Sequence, residues 1–156
     1  MKIQNKKKCI LCNLSKVKSL INLGNTPLAN NLIKNPKINK QEKYPLVVGK
    51  CMNCDHIQLS YLPNPKLMFK NYLYLSSASS TLTNHLKKIP LALNKIIKLK
   101  KKDLVIDVGS NDGTLLLGYK KFDVIKLGVE PAKNLAKFYQ KKKIHLINDF
   151  FNLTSA

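Results

Sequence analysis

The second half of the chain repeats a pattern in which a short apolar run is followed by an amphipathic segment. The apolar runs predict strands at 103–108, 124–130 and 144–148, and the amphipathic segments predict helices at 113–121 and 132–143. The buried face of the second helix is expected to consist of Ala132, Leu135, Ala136 and Tyr139. Strands that alternate with helices form a parallel sheet, so this half of the chain is predicted to have an α/β fold.

A longer helix is predicted before the first of these strands, because apolar residues recur there at spacings of three and four. They are Leu82, Leu86, Ile89, Leu93, Ile96 and Ile97. Ser80 or Thr81 is expected to cap the N-terminus of this helix. Pro90 is expected to kink or split it, since proline lacks an N–H and clashes with the preceding turn. His85 lies beside the apolar stripe and is expected to be packed.

The first 60 residues follow another pattern, in which short apolar runs are separated by turn-forming residues. Strands are predicted at 44–48 and 56–59, whereas the glycine, asparagine and proline of 23–30 favour a shaped loop. Residues 61–81 are rich in tyrosine and serine and are interpreted as a connector, although flexible linkers rarely carry so many large side chains. The predicted organisation is therefore a domain at 1–60, a connector at 61–81 and a second domain at 82–156.

All four cysteines lie in the first domain, in two Cys-x-x-Cys pairs formed by Cys9 with Cys12 and by Cys51 with Cys54. Each pair can hold one ion through a short turn, and four thiolates complete a tetrahedral, structural zinc site of the zinc-ribbon kind. Disulfides are the competing interpretation, but no apolar signal segment follows the basic start, so a cytoplasmic location is expected. His56 is a less favoured alternative ligand.

The net charge of +20 comes from 28 basic residues, all of them lysine. Base-edge recognition and stacking depend on the planar fork of arginine, so nucleic acid is not an expected partner. Lysine runs at the ends of predicted helices are interpreted as solvated helix ends, where the positive charges interact favourably with the helix dipole. An acidic substrate such as a nucleotide-sugar would still be attracted by this charge. No segment approaches the length of a membrane span, so no membrane contact is expected.

A candidate ligand loop, Asp107-Val-Gly109-Ser-Asn111-Asp-Gly113, follows the first strand of the second domain. A strand, a tight loop and a helix in this order direct free backbone N–H groups at a bound ligand. The loop lacks the dinucleotide pattern Gly-x-Gly-x-x-Gly. It resembles instead the acid-x-Gly-x-Gly-x-Gly motif of class I S-adenosylmethionine (SAM) methyltransferases, with Asn111 at the middle glycine. Asparagine tolerates a positive φ better than other residues with side chains, so the loop can still turn.

Acidic residues also follow the next two predicted strands. Glu130 comes 17 residues after Gly113 and is the candidate acceptor for ribose hydroxyls. Asp149 follows the third strand, where methyltransferases of the resembled class commonly place an acid that contacts adenine. Each acid alone is as readily explained as a residue that ends a strand, but three at successive strand ends favour a nucleoside site.

A series of motifs covers nearly the whole chain. In order, they are Cys-x-x-Cys, 23–30, Tyr44-Pro-Leu, Cys-x-x-Cys with Ile57-Gln-Leu59, Tyr72-x-Tyr74-x-Ser76-x-x-Ser79, the loop 107–115 and Gly128-Val-Glu-Pro131. In this order they resemble the SAM-dependent sugar C-methyltransferases, which normally carry Ser-Asn-Asp in the loop. The resemblance implies an N-terminal zinc-binding domain, a Rossmann-like SAM domain and methylation of a carbon in a nucleotide-linked keto-sugar during deoxysugar biosynthesis.

The resemblance also indicates what chemistry to expect and what is missing. A ketone beside the target carbon makes its proton removable by a general base, and the resulting enolate takes the methyl group. Tyr72 and Tyr74 match the tyrosine motif of the family and are the local candidates for hydrogen bonding to substrate, although both also suit packing. The catalytic histidine segment and the C-terminal domain of the family have no counterpart here. The chain is therefore interpreted as a truncated member, inactive alone, that needs the missing part in trans.

Two other functions remain open at this level. A stand-alone zinc-ribbon interaction module with a degenerate nucleotide-binding domain is one, and a dehydrogenase-like nucleotide binder is the other. The absent Gly-x-Gly-x-x-Gly pattern disfavours the dehydrogenase.

Overall fold

A computed structural model describes residues 3–14, 16–33, 35, 41–140 and 142–155 of the chain. The contacts divide the chain into two compact units, one up to Met68 and one from Phe69 onward. Among the described residues, no helix is both long enough and apolar enough to cross a membrane.

The N-terminal unit is built from two small antiparallel sheets. Strand β1 (Ile3–Asn5) pairs with β5 (Tyr61–Pro63), and β2 (Val17–Pro27), β3 (Lys43–Cys51) and β4 (Ile57–Leu59) form a sheet in the order β2-β3-β4. The strand predicted at 44–48 is confirmed as part of β3, and the strand predicted at 56–59 is confirmed as β4, which begins one residue later. A short helix, α1 (Pro65–Phe69), follows β5.

The loop predicted at 23–30 is wrong for its first half, because β2 continues to Pro27. The pairing of β2 with β3 shifts register between Ser19 and Ile21 and again between Asn22 and Asn25. Gly24 has a φ of 76° at the second shift, and its N–H donates to Asn22 Oδ1 at 2.9 Å. The turn-forming residues therefore distort the strand locally without ending it, as residues of a β-bulge do.

The predicted long helix is α2 (Ser80–Ile97), which begins one residue earlier than expected. The expected caps, Ser80 and Thr81, are wrong, because Ser79 caps the helix through its Oγ, which accepts a hydrogen bond from the Leu82 N–H at 3.2 Å. The helix continues through Pro90 and is not split there. Pro90 is buried, and its Cγ lies 2.9 Å from where a Cβ at Gly118 would stand, so the missing side chain of that glycine makes room for the ring.

The apolar stripe predicted for α2 is partly buried at Leu82, Leu86 and Ile89. Towards the C-terminus, Leu93, Ile96 and Ile97 are exposed. His85 is exposed as well, so the expectation of a packed histidine is wrong.

The parallel sheet predicted for the second half is confirmed. Strands β6 (Leu104–Val108), β7 (Ile125–Val129) and β8 (His145–Ile147) are parallel and adjacent in this order. The helices between them are shorter than predicted. Helix α3 (Thr114–Leu117) passes into a 3-10 helix at Gly118–Lys121, and the helix predicted at 132–143 is a 3-10 helix at Lys133–Phe138. No side chain caps the 3-10 helix at Lys133–Phe138, because its N-cap residue is Ala132, whose side chain has no polar atom.

The core of the C-terminal unit lies on one face of the sheet. Leu116, Tyr139 and Ile144 are buried there and pack against Val105 and Leu146. The predicted face of the second helix is buried at Ala132, Leu135 and Tyr139 and partly buried at Ala136. On β6, Leu104, Ile106 and Val108 alternate with the residues that face the core and are 55%, 48% and 56% exposed. The opposite face of β6 is therefore uncovered.

Candidate functional site

The four cysteines converge in the N-terminal unit. The Sγ atoms of Cys9, Cys12, Cys51 and Cys54 all lie within 4.8 Å of one another. Cys9 and Cys54 are 3.7 Å apart at sulfur, and Cys12 and Cys51 are 3.6 Å apart. A disulfide bond is about 2.05 Å long, so these are contacts between thiols. Four thiolates bound to zinc at about 2.3 Å would lie about 3.8 Å from one another, so the cluster fits a tetrahedral zinc ion.

The two Cys-x-x-Cys turns, here called the knuckles, have matching geometry. The Leu11 N–H points to Cys9 Sγ and the Asn53 N–H points to Cys51 Sγ, each at 3.4 Å. The residue after each second cysteine has a positive φ, 56° at Asn13 and 58° at Asp55. N–H donors aimed at sulfur favour the thiolate that a metal requires. The site is thus shaped by both turns in the same way.

Gln58 fastens the first knuckle to β4, a role that sequence analysis did not assign. Its side chain is only 6% exposed. Its Oε1 accepts from the Ile10 N–H at 2.9 Å, and its Nε2 donates to the Lys8 carbonyl at 3.4 Å. The signal in the sequence was a glutamine between two apolar residues of a short strand. Among the described residues, His56 is not part of the metal-ligand cluster, which consists of the four cysteines alone.

The candidate cofactor loop joins β6 to α3 in the C-terminal unit. Asp107 lies near the end of β6, and Gly109, Asn111 and Gly113 have φ values of 77°, 51° and 77°. The positive φ at Asn111 agrees with the expectation that asparagine allows the loop to turn at this position. No atom lies within 4 Å of where a Cβ at Gly109 would stand, so the backbone is accessible there. At Gly113 such a Cβ would lie 3.3 Å from the Tyr139 ring.

The backbone N–H groups of this loop do not point freely at a ligand, which corrects the expectation from the sequence. Each N–H from 109 to 114 is paired within the chain. The acceptors, in order, are the Val129 carbonyl for both Gly109 and Ser110, then Glu130 Oε2, Asn111 Oδ1, the Ser110 carbonyl and Asp112 Oδ1. The loop therefore offers carboxylates and an accessible backbone, but no row of N–H donors for a phosphate.

Glu130 supports the loop through both of its oxygens. Oε2 accepts from the Asn111 N–H and Oε1 accepts from the Ala132 N–H, each at 2.9 Å, and the residue is 6% exposed. Burial and the negative charge of Glu130 raise the pKa of the neighbouring Asp107. Asp149 lies beyond β8, is exposed and accepts from the Phe150 N–H at 2.7 Å. The structure thus brings Asp107 and Glu130 together and leaves Asp149 at the surface.

Asp112 is fully buried, although sequence analysis gave it no role. Burial acts to raise the pKa of Asp112, but hydrogen bonds from Ser77 and Thr114 outweigh it and hold the pKa below its usual value. Oδ1 accepts from the Thr114 hydroxyl at 2.6 Å, and Oδ2 accepts from the Ser77 N–H at 3.1 Å. An aspartate two residues before a threonine at a helix start was the available signal.

The segment with the two candidate tyrosines is docked onto this loop. The Asn134 side chain accepts from the Tyr72 N–H at 2.9 Å and donates to the Tyr72 carbonyl at 2.8 Å. The Asn111 side chain donates to the Tyr74 carbonyl at 3.0 Å and accepts from the Ser76 N–H at 2.9 Å. Residues 72–77 are therefore held by the C-terminal unit rather than forming a free linker.

Two comparisons with known proteins bear on this chain. Residues 9–69 match a family described as "Putative zinc binding domain" of methyltransferases. The chain is 30% identical over 129 residues to the C-methyltransferase NovU of Streptomyces niveus. The match covers 82% of this chain and 31% of NovU, so the chain spans about a third of the length of this relative.

Proposed function

We propose that the chain is a C-methyltransferase family member that forms the zinc-binding and SAM-binding part of an enzyme methylating a carbon of a nucleotide-linked keto-sugar. The match of residues 9–69 to a zinc-binding domain and the 30% identity to a C-methyltransferase support this proposal. The zinc ion is structural in this proposal, since four cysteine thiolates leave no coordination position for substrate. The sugar substrate is an inference from the motifs of the family and from the basic character of the chain.

The chemistry of the loop at 107–113 is the observation that supports SAM most strongly. A dinucleotide binds its pyrophosphate through free N–H groups at a helix N-terminus. Here every N–H from 109 to 114 is already paired, and two carboxylates lie together at the site. Such a site favours a nucleoside that carries positive charge. SAM is such a ligand, because it has a sulfonium centre and an ammonium group and carries no phosphate.

The residues that would hold SAM are Asp107, Gly109, Asn111, Gly113, Glu130 and Asp149. When bound, SAM supplies an electrophilic methyl group. Glu130 uses one lone pair of each oxygen for the loop, and its remaining lone pairs suit ribose hydroxyls. Gly109 allows close approach of the ligand to the backbone. Asp149 is exposed at the strand end, where it could accept from an adenine amino group.

Tyr72 and Tyr74 are the proposed substrate-side residues. Tyr72 is partly buried and Tyr74 is 47% exposed, so neither residue is enclosed in the core. A tyrosine hydroxyl can donate a hydrogen bond to a carbonyl oxygen as negative charge develops on it. The segment of both tyrosines is docked on the loop at 107–113, which supports a role beside the cofactor.

Calorimetric titration of the purified chain with SAM, S-adenosylhomocysteine (SAH) and NAD tests the proposal. We expect SAM and SAH to bind and NAD to bind much more weakly.

Glu130→Gln should weaken SAM binding by about 1 to 3 kcal/mol, the cost of leaving ribose hydroxyls poorly paired. Glutamine keeps the volume and one acceptor for the loop, whereas alanine would remove the support of both N–H groups. Glu42→Gln in the N-terminal unit is the matched control. NAD binding as tight as SAM binding would contradict the proposal.

Turnover is the second part of the test. We expect the 156-residue chain to bind SAM but not to methylate a nucleotide keto-sugar. Methylation should require the remaining part of a related methyltransferase, supplied in trans or by fusion. Steady transfer of a labelled methyl group by the chain alone would refute this expectation, whereas the proposed SAM binding would be unaffected.

A further inference from the structure

We propose that Asn111 is a positioning residue that fixes the tyrosine segment, residues 72–77, on the cofactor loop and links cofactor binding to the placement of Tyr72 and Tyr74. This inference rests on the proposed function, in which the loop holds SAM and the tyrosines face the substrate. It explains why the loop carries a side chain at a position where the related motif has glycine.

The side chain of Asn111 is bonded on both of its ends to the tyrosine segment. Its Nδ2 donates to the Tyr74 carbonyl at 3.0 Å, and its Oδ1 accepts from the Ser76 N–H at 2.9 Å. The same Oδ1 accepts from the N–H of Asp112 at 2.9 Å. One planar amide therefore fixes two backbone groups of the segment relative to the loop.

The backbone of Asn111 is bonded in turn to the proposed ribose acceptor. Its N–H donates to Glu130 Oε2 at 2.9 Å. A ligand that competes for or polarises the Glu130 carboxylate therefore acts on Asn111 directly, and Asn111 acts on Tyr74 and Ser76. This chain of bonds is the physical route by which cofactor occupancy can order the tyrosine segment.

The backbone conformation of Asn111 is less favourable for a residue with a side chain than for glycine. Its φ is 51°, in the left-handed region where glycine is unstrained and other residues are not. Glycine would give the same turn without this strain but would remove both bonds to the segment. The benefit of asparagine at this position is therefore its amide.

Two further anchors make the segment a good place to measure this effect. Asp112 Oδ2 accepts from the Ser77 N–H, and Asn134 holds both backbone groups of Tyr72. With Asn111→Gly, these anchors remain, so the segment should loosen at Ser76 without leaving the loop. The amide of Tyr72 then serves as an internal reference within the same sample.

The experiment is residue-resolved amide exchange by NMR on the full chain, without ligand and with saturating SAH, whose affinity is measured separately for each variant. In the absence of ligand, Asn111→Gly should speed exchange at Ser76 by about fivefold or more, as expected for a net hydrogen bond, and should leave Tyr72 unchanged. In the wild type, SAH should slow exchange at Ser76, and in Asn111→Gly this slowing should be lost. Asn30→Gly makes the same substitution at another positive φ, 61°, in the N-terminal unit and should change neither rate.

Equal exchange of Ser76 in wild type and Asn111→Gly would overturn the positioning role. Binding of SAH to the wild type with no effect on Ser76 would overturn the link to the cofactor. Failure of the wild type to bind SAH at all would contradict the proposed function and the link together, while the rates without ligand would still decide the positioning role.

Discussion

Asp107 is a carboxyl group whose surroundings oppose its own ionisation. Burial and the charge of Glu130 raise its pKa. A carboxyl whose pKa is higher in the folded state than in the unfolded state stabilises the fold at low pH, and this contribution is lost as pH rises through the folded-state pKa. At neutral pH the ionised group is therefore a small burden on stability, which a bound cation would relieve. Its position beside the loop is consistent with its proposed role in binding a cationic ligand.

Asp107→Asn should therefore raise the thermal stability of the free chain at neutral pH and weaken SAM binding. The stability gain should not exceed about 1 kcal/mol, because the side chain is partly exposed and solvent screens its charge. For the wild type, SAM affinity should fall as pH is lowered from about 7 to about 4, towards the usual range of a carboxyl pKa. Thermal unfolding and calorimetry at both pH values measure these effects. Unchanged SAM affinity in the variant would remove Asp107 from the site.

Gly128 is needed for packing rather than for an unusual backbone angle. A Cβ there would stand 2.6 Å from Ser110 Oγ and 2.8 Å from Tyr139 Cε1. Tyr139 is buried, and its hydroxyl lies 2.7 Å from Ser110 Oγ, so neither neighbour can move without disturbing the loop.

Gly128→Ala should therefore lower the free energy of unfolding by about 1 to 3 kcal/mol, the usual cost of overpacking. Chemical denaturation followed by circular dichroism measures it. Gly109→Ala is the comparison, since there the space is open and only the positive φ of 77° resists a side chain. A Gly128→Ala variant as stable as the wild type would show that the close contacts at Gly128 relax freely.

Residue identity revealed the candidate ligands but not how the loop is bonded internally. The four cysteines and the positive φ at Asn111 followed from residue type and spacing. The complete pairing of the loop N–H groups could not be foreseen, because those of Gly109, Ser110 and Asn111 donate to acceptors at the end of β7. Gln58 and Asp112 were missed for a similar reason, since the Ile10 and Ser77 N–H groups that they accept from lie 48 and 35 residues away in sequence.

Among the elements, helix α2 and the three strands of the parallel sheet were predicted well, and the helices between those strands were predicted too long. Apolar runs such as 103–108 are typical of strands in a parallel sheet, so their positions follow from the sequence pattern. The helices between these strands are short or of the 3-10 type, a distinction that the spacing of apolar residues does not reveal. Strand β2 runs through Gly24 since pairing with β3 outweighs the turn preference of its residues.

The knuckles and β4 act together as one structural element through Gln58. Gln58→Leu keeps a side chain of similar size but removes its hydrogen-bond acceptor and donor. The Ile10 N–H and the Lys8 carbonyl then lose the partner that Gln58 provides. We expect zinc affinity, measured by competition with a chelator, to fall by about 1 to 3 kcal/mol, the cost of unpaired buried groups. Gln4→Leu at an exposed position of β1 is the matched control. Equal zinc affinity of all three proteins would show that Gln58 does not support the site.

For the whole molecule, the cysteine cluster and the candidate cofactor loop belong to separate compact units. We expect one zinc ion per chain, bound with an apparent free energy of about 10 to 16 kcal/mol, as structural zinc sites usually are. Chelation should therefore unfold the unit up to Met68 while the NMR signals of the sheet β6-β7-β8 persist. Metal analysis of the reduced protein that finds much less than one equivalent, or a chelated chain with unchanged spectra, would contradict the zinc site.

The uncovered face of the C-terminal sheet determines how the whole chain should behave in solution. Leu104, Ile106, Val108 and Ile125 form a contiguous apolar surface on β6 and β7, each 43% or more exposed. Exposed apolar faces and unpaired strand edges promote association. We therefore expect the purified chain to associate as its concentration rises, measured by sedimentation velocity. Leu104→Lys should reduce this association, whereas Leu153→Lys, the same substitution at a fully exposed site outside the sheet, should not. Equal association of both variants would mean that another surface is responsible, and a wild type that stays monomeric at all concentrations would show that this face is compatible with water.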